Sequence, residues 1–362
     1  MSSSTYKSVV LNTRPEQHIV LGETFQITHT PVPTLDQLKD GEVVFKTEYI
    51  SVDPGMRDWL KEPGSYMPPV ALGEPMRGFA VGTISASNNA NLPVGSHATG
   101  LVGWSELKII HGDQLQKFEI PAGGKLADAL SLLGMTSLTA YYGVIKIGQV
   151  KPGDFVVVSG AAGATGSIAG QIAKIKGATV LGVAGSDDKV RWLKDIGFDD
   201  ALNYKDEDFV RKFEAATIGG IDMFYDNVGG QVLELALEQA KIHGRIVLCG
   251  GVSQVNTTSP QGPKNYLNII YKRLRVEGFL VFDYPEENAQ AFSQISQWFS
   301  EGKLKAKETI IKGGLEQAEK ALRDIYNGVN TGGPHNTDVT EVANERKANC
   351  WSRCDIHHTL DG

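Results

Sequence analysis

Cysteine is nearly absent from this 362-residue chain, which has only Cys249, Cys350 and Cys354. Three thiols build no disulfide framework, and such usage belongs to a reducing compartment. The same scarcity weighs against a zinc centre. Catalytic zinc takes about three protein ligands, yet no cysteine precedes position 249, and His18, His29, His97 and His111 are scattered with no ligand spacing. Long apolar runs are missing too: nothing approaches the roughly 18 residues of a membrane helix, and the opening MSSSTYKSVV lacks the apolar core of a secretory signal. Positive charge is in deficit. Lys and Arg number 35 against 42 Asp and Glu, a net charge of −7, so no basic stripe stands ready for nucleic acid. The expectation is a cytoplasmic protein with no metal, no membrane partner and no nucleic-acid partner.

Glycine, by contrast, is placed with purpose. The stretch FVVVSGAAGATGSIAGQIAKIKGATVLGVAGSDDK, residues 155–189, reads as strand, glycine turn, helix and second strand. FVVV is a continuous apolar, β-branched run, the pattern of a strand buried on both faces of a parallel sheet. Gly160, Gly163 and Gly166 follow at G-x-x-G-x-x-G, where missing Cβ atoms allow a tight turn, close approach to a pyrophosphate and close helix packing. Ile168, Ala169, Ile172, Ala173 and Ile175 recur at helical spacing and Gly177 supplies a stop. The turn therefore hands phosphate oxygens to the unpaired N–H groups of a helix start formed by Ala164, Thr165 and Gly166.

The end of the second strand indicates which dinucleotide. An NAD site carries an acidic residue there for the ribose 2′-hydroxyl. Here the strand 179–183 runs into Ala184, Gly185 and Ser186, with Lys189 beyond, and small donors with a cation suit a 2′-phosphate. Asp187 and Asp188 lie past the strand end and are expected to cap the next helix. NADPH is the expected cofactor.

At 362 residues two domains are expected, since single cores stop growing near roughly 250–300 residues. Residues 8–120 hold short strand patterns between Pro and Gly turns, the signature of an all-β barrel or sandwich. From residue 127 helical periodicity takes over, with a helical stretch DALSLLGMTSLTAYYGVIKIG leading into the central strand. Strands and helices then alternate: strand 201–204, helix near 206–216, strand 221–225, helix VLELALEQA, strand 245–251. The fold class is α/β plus all-β, a doubly wound parallel Rossmann sheet beside a β-barrel. Ligands lie at the C-terminal ends of such strands. Asn227 and residues 249–253, Cys249 and Ser253 among them, thus stand where the nicotinamide would lie, or serve only as strand-end turns.

The phrases SGAAGATGS, AGSDDK, LNYKD, YDNVGG, CGGVSQ and NIIYKRLRVEGFLVFDY resemble the zinc-independent medium-chain reductases that act on leukotriene and prostaglandin enones, plant alkenals and curcumin. EYISVDPGMRDWL, YMPPVALGEPMRGFAVGTI and GLVGWSEL resemble their first domain, a GroES-like barrel. The likeness runs from about residue 8 to Gly332. It implies a catalytic domain over 1–127, a Rossmann domain over 128–298, a return to the catalytic domain over 299–332, and an atypical tail over 333–362. It implies NADPH-dependent reduction of the conjugated C=C bond of an enone or enal, and a homodimer. It carries Gly163, Gly166, Gly185, Lys189, Tyr204, Asn227 and Asn330 over as cofactor contacts, with Lys189 and Tyr204 on the 2′-phosphate. A quinone reductase, or a cofactor-binding protein with little turnover, are the alternatives.

Two departures stand out. Relatives commonly read S-x-Y-N where this chain has Ser253-Gln254-Val255-Asn256, and D-P-Y-M-R where it has Asp53-Pro54-Gly55-Met56-Arg57. The group facing the substrate oxygen is then a ribose hydroxyl, water or Tyr66, for which packing is the stronger reading, and the pocket is expected to widen for a bulky enone. After Gly332 the tail is polar and aperiodic, the look of a disordered segment. Residues 338–342 offer a partial substitute for the relatives' closing strand, and Cys350, Cys354, His357 and His358 offer a metal-capturing alternative to a loose tail.

Overall fold

The FVVV run becomes strand β8, Phe155–Val158, and the alternation of its side chains divides the second domain's core in two. Val156 and Val158 pack with Ile168 and Ile172 on one face, and Val157 packs with Phe209, Phe213 and Leu235 on the other. All three valines are 0% exposed, each contributing roughly 1.5–3 kcal/mol of apolar burial. That is why the run is continuous rather than alternating. The computed structural model describes residues 4–121, 123–326, 328 and 335–338.

Seven strands come from the front of the chain: β1 Thr5–Leu11, β2 Phe25–Pro31, β3 Glu42–Ile50, β4 Ala80–Ser87, β5 His97–Gly100, β6 Leu107–His111 and β7 Leu115–Lys117. β1 and β2 pair as an antiparallel hairpin sheet. β3 is the spine of a curled antiparallel sheet. Residues 42–46 pair with β6, whereas Tyr49 and Ile50 pair elsewhere, and β4 runs along the other side. Short strands with register shifts let this sheet bend around Phe45, Ile50, Ala80 and Trp104, all 0% exposed.

Beyond β8 come β9 Thr179–Ala184, β10 Asp200–Asn203, β11 Ile221–Asp226, β12 Ala240–Leu248 and β13 Arg275–Gly278. With β8 they form a six-stranded sheet, order β10-β9-β8-β11-β12-β13, every neighbour parallel. The intervening helices are α1 Met135–Tyr141, α2 Ala164–Ile175, α3 Asp187–Asp195, α4 Phe209–Ala216, α5 Gly230–Gln239, α6 Asn268–Tyr271 and α7 Asn288–Ser300. Strand β12 ends at Leu248, three residues before the expected stop. The single helix expected from residue 128 is a correction. It is split into a 3₁₀ segment Leu126–Leu130, helix α1 and a π-helical turn Tyr142–Ile147, because Ser131 leaves helical geometry and Gly134 restarts it as an N-cap.

The chain then returns to the front domain. Leu304 belongs to the core under α2, whereas Leu315, Ala318, Ala321, Leu322 and Ile325 join Phe45 and Trp104. Helix α8, Ala318–Ile325, buries one face at helical spacing. Strand β14, Thr309–Ile311, and strand β15, His335–Asp338, complete the curled sheet, with β15 parallel to β14 and antiparallel to β3 at Tyr49 and Ile50. Within the polar, aperiodic stretch from residue 333, residues 335–338 pair through their backbone with two neighbours, which needs no apolar pattern. Cys350, Cys354, His357 and His358 lie outside the described residues.

Candidate cofactor and substrate site

The glycine turn is built around one carbonyl. Gly160 takes φ +56°, open to glycine at little cost, and its carbonyl accepts the Gly163 N–H at 2.9 Å. A Cβ on Gly166 would lie 2.5 Å from that oxygen and 2.9 Å from Ala161 Cα, so position 166 admits no side chain. Gly163 is the N-cap of α2, and Ala164, Thr165 and Gly166 form its first turn. Their N–H groups have no carbonyl one turn back, and the helix dipole adds positive potential at the same point.

The neighbouring strand end is tied to this turn. Ser159 Oγ donates to Asp226 Oδ1 at 2.6 Å and accepts the Asn227 N–H at 2.9 Å, and Asn227 Nδ2 donates to the Ser159 carbonyl at 2.7 Å. Asp226, 0% exposed, also accepts the N–H groups of Val228 and Gly229 at 3.0 Å. Burial pushes its carboxyl upward, opposed by these bonds. Asn227 thereby stands beside Gly160, whose added Cβ would be 3.3 Å from Asn227 Cβ.

At the end of β9 stand Gly185, Tyr204 and Lys189. Gly185 lies under the Tyr204 ring, and a Cβ there would meet Tyr204 Cε1 at 2.9 Å. Lys189 Nζ donates to the Gly328 carbonyl at 2.9 Å. Burial lowers the Lys189 pKa, and the Lys205 charge lowers it further. Lys205 was not singled out in the sequence, although it directly follows Tyr204 in LNYKD. The expected capping by Asp187 and Asp188 is corrected: Ser186 is the N-cap of α3 and accepts the Lys189 N–H at 3.4 Å, because only the residue before the first turn can turn its oxygen back onto it. Asp187 instead accepts Asn203 Nδ2 at 2.9 Å.

Of the strand-end residues after β12, Cys249 is half-buried. Its thiol packs against the second domain's core beside the Tyr225 hydroxyl, and burial pushes it up to about 11. Ser253 Oγ donates to the Val228 carbonyl at 2.6 Å, close to the Gly229–Gly230 turn. Asn330 lies outside the described residues.

Between the domains is a cavity of about 280 Å3 lined by His18, Ile19, Asn256, Arg323 and Tyr326. The buried Arg57 shapes its wall, donating to the carbonyls of Pro15, Glu16 and Gln17 at 2.8, 3.1 and 3.2 Å just before His18. Gln17 Nε2 reaches Thr258 Oγ1 across the divide at 3.3 Å. Asn256 Oδ1 is buried here without a hydrogen-bond partner. The Tyr326 hydroxyl donates to the Pro54 carbonyl at 2.7 Å, next to Gly55. Over Gly55 lies Tyr66. Its oxygen is 3.2 Å from where a Gly55 Cβ would be and accepts the Trp59 indole N–H at 3.0 Å. Burial pushes the Tyr66 hydroxyl up, so it keeps its proton. Among the described residues no three His, Cys, Asp or Glu side chains stand together as metal ligands.

These residues fit a phosphorylated dinucleotide: a helix start that no side chain obstructs, and the Lys189 ammonium in the first turn after the neighbouring strand. Residues 7–118 match the family described as N-terminal domain of oxidoreductase, and residues 164–300 match the one described as zinc-binding dehydrogenase. Bovine prostaglandin reductase 1 is 41% identical over 304 residues, 82% of this chain and 90% of that protein. The NADPH-dependent curcumin reductase of Escherichia coli K12 is 36% identical over 331 residues, 89% of this chain and 94% of that protein. Among solved structures, CurA from Vibrio vulnificus in complex with NADPH superposes with a TM-score of 0.85 at 34% identity, covering 92% of this chain and 99% of that one.

Proposed function

Because the chain belongs to the zinc-independent medium-chain dehydrogenase/reductase family, in the group of prostaglandin, alkenal and curcumin reductases, we propose that it is an NADPH-dependent reductase of the conjugated C=C bond of enones and enals. The observation that carries this reading is the obstructed position 166 beside an open helix start: a side chain there would strike Gly160, and its absence leaves N–H groups for a diphosphate. NADPH bound in that cradle supplies a hydride to the β-carbon of the substrate.

The chain's own residues then have separable tasks. Gly163, Ala164, Thr165 and Gly166 receive the diphosphate. Gly185, Ser186, Lys189 and Tyr204 receive the adenosine ribose and its phosphate. Asn227, Cys249 and Ser253 border the nicotinamide. The negative charge that hydride addition pushes onto the substrate carbonyl oxygen requires a donor. Tyr66 is that donor: Trp59 occupies one lone pair of its oxygen and leaves the hydroxyl proton for the substrate. The proton at the α-carbon comes from solvent. The cavity between His18 and Asn256 accepts the substrate's remainder, and Val255 beside it widens the approach for bulky enones.

The test is cofactor absorbance with a panel of enones, enals and a quinone, with mass spectrometry of products. Saturation of the C=C bond supports the reading, and hydroquinone formation alone with untouched enones would replace it by quinone reduction. The domains are read as 1–127, 128–298 and 299–332; Leu304 still packs in the second domain's core and Leu315 in the first, so the chain crosses back between these two residues. A homodimer is supported by the exposed Tyr266, Leu267, Ile270, Tyr271, Leu280 and Phe282 around the edge strand β13. Light scattering of the eluting protein measures it directly. Cytoplasmic residence agrees with the low cysteine content.

A further inference from the structure

The two crossings between the domains meet at a single carboxylate. Leu126, Ala129 and Leu130 pack with Val81 of the front sheet, whereas Leu132 and Leu138 belong to the second domain's core, so the first crossing falls at Ser131. The return crossing falls between Leu304 and Leu315. Glu308 lies within it, its side chain 3% exposed. Ser131 Oγ donates to Glu308 Oε1, a contact between residues 177 apart in sequence. Glu308 Oε2 forms an ion pair with Lys125 Nζ at 2.6 Å, at the other end of the 3₁₀ segment. One side chain thus spans both passages.

Each end of the return segment is fixed to one half of the site. Gln171, buried on α2, donates its Nε2 to the Lys305 carbonyl at 2.9 Å and accepts the Lys305 N–H at 2.7 Å. The same helix opens with the glycine cradle at Gly163. Past Glu308 the chain enters β14, which pairs with β15, and β15 pairs with Tyr49 and Ile50 of β3. Ser51 and Asp53 follow, joined by a 2.6 Å hydrogen bond, and lead into Pro54 and Gly55 under Tyr66. Asp128 also stands beside Glu308. Burial pushes its carboxyl upward against its bond from the Lys125 N–H, and the Glu308 charge adds to the rise. Lys125 therefore faces two carboxyl groups, and removing Glu308 does not strand its charge.

We propose that Glu308 is a positioning residue for hydride transfer: by tying the two crossings together at Ser131 and Lys125, it sets the barrel domain, with Tyr66, against the domain that holds the cofactor. This rests on the reductase reading above. The nicotinamide belongs to one domain and the proton donor to the other, so the gap the hydride crosses depends on the angle between them. A misplacement of about 1 Å at the reacting atoms can cost about 100-fold in rate. Relative motion of two domains is the default unless something restrains it, and the covalent link at Ser131 is no stiff helix, with φ −115° and ψ −97°. Glu308 supplies the restraint. Tilting either domain would draw a buried carboxylate away from its counter-ion and its hydroxyl donor, where little water replaces them.

The experiment compares wild type, Glu308→Ala, Glu308→Gln and Ser131→Ala by NADPH titration, by urea unfolding, and by turnover with NADPH and with NADPH deuterated at the transferred position. The acceptor is whichever enone, enal or quinone the wild type reduces. Glu308→Ala should lower kcat about 10- to 100-fold and leave the NADPH dissociation constant within about twofold. Its isotope effect on kcat should be at least as large as that of wild type, because hydride transfer is then the slow step. Glu308→Gln keeps an acceptor for the Ser131 hydroxyl and should fall between the two. Ser131→Ala should lose less than Glu308→Ala, and adding it to Glu308→Ala should change little, since the two share one link. A lower urea midpoint with kcat of the folded enzyme unchanged overturns the proposal and leaves Glu308 a stabilising residue only. So does a kcat loss with a smaller isotope effect, or one matched by weaker NADPH binding. If Glu308→Ala does not fold, Glu308→Gln and Ser131→Ala decide by the same criteria. A wild type that reduces only the quinone replaces the enone reading, and the variants then decide the role of Glu308 with that acceptor. A wild type that oxidises NADPH with no acceptor overturns both.

Discussion

The Tyr66 hydroxyl oxygen stands 3.2 Å from the point a Cβ on Gly55 would occupy, so the missing side chain at 55 and the phenol at 66 share one space. With the Trp59 N–H fixing that oxygen at 3.0 Å, Tyr66 fills a gap that the altered D-P-G-M-R phrase leaves open. Tyr66→Phe should lower kcat for an enone at least tenfold, within the range for loss of one positioned proton donor, while the NADPH dissociation constant stays put. Gly55→Tyr should displace Tyr66 and lose turnover, and Gly55→Tyr/Tyr66→Phe should regain part of it. Steady-state kinetics of the three variants checks this; full activity in Tyr66→Phe makes the phenol a packing residue.

Position 166 tolerates no carbon. A Gly166→Ala methyl would lie 2.5 Å from the Gly160 carbonyl oxygen, and neither atom belongs to a flexible side chain. A cost of about 1–3 kcal/mol in stability is expected, with NADPH affinity down more than about tenfold. Gly163→Ala, whose Cβ would be 3.2 Å from the same oxygen, should be far milder. Urea unfolding and cofactor titration of both variants give the comparison.

Arg245 and Asp154 pair at 2.7 Å, with side chains 14% and 3% exposed. The same guanidinium donates to the carbonyls of Gly148 and Gln149 at 2.8 Å, pinning the turn before β8. Arg245→Ala leaves the Asp154 charge buried and alone, and should cost about 3–5 kcal/mol. The shift of the denaturant midpoint at constant slope measures it.

Burial pushes the Cys249 thiol up to about 11 from 9.0. In the folded protein at pH 8 iodoacetamide should leave it unlabelled, and unfolding should expose it, as peptide mass spectrometry separates it from Cys350 and Cys354. The sign for stability follows. Between about 9 and 11 the unfolded thiol has lost its proton while the folded one keeps it, so stability declines as pH rises through that window.

Val255 precedes Asn256, whose amide lines the cavity. Val255→Tyr should narrow that approach, moving the ratio of kcat/KM for short alkenals over bulky aryl enones upward by about tenfold, the order that pocket shape commands. Matched kinetics on one substrate of each kind would show it, and an unmoved ratio removes Val255 from the determinants of breadth.

Local periodicity made much of the fold legible. FVVV reads as a doubly covered strand, and the glycines after it as the opening of a helix, because both readings depend on neighbours within a few residues. The split of the 126–147 segment was harder to see: its apolar spacing is continuous, and the break comes from backbone angles at Ser131 and Gly134. Strand β15 was hidden for a related reason. His335–Asp338 carries no apolar alternation, and its place is decided by the vacant pairing groups of β3 and β14.

By itself the sequence determined the dinucleotide cradle, the preference for a 2′-phosphate and the two-part architecture, since each follows from residue type and short spacing. Only the tertiary structure decided what meets across the chain: Lys189 with the Gly328 carbonyl 139 residues away, and Gln17 with Thr258 at a separation of 241. Spacing governs the helix and the strand, where every contact is a few residues long. Which distant side chains share a space, and which charges are left unbalanced, is settled by how two separate cores pack, and no short stretch of sequence carries that information.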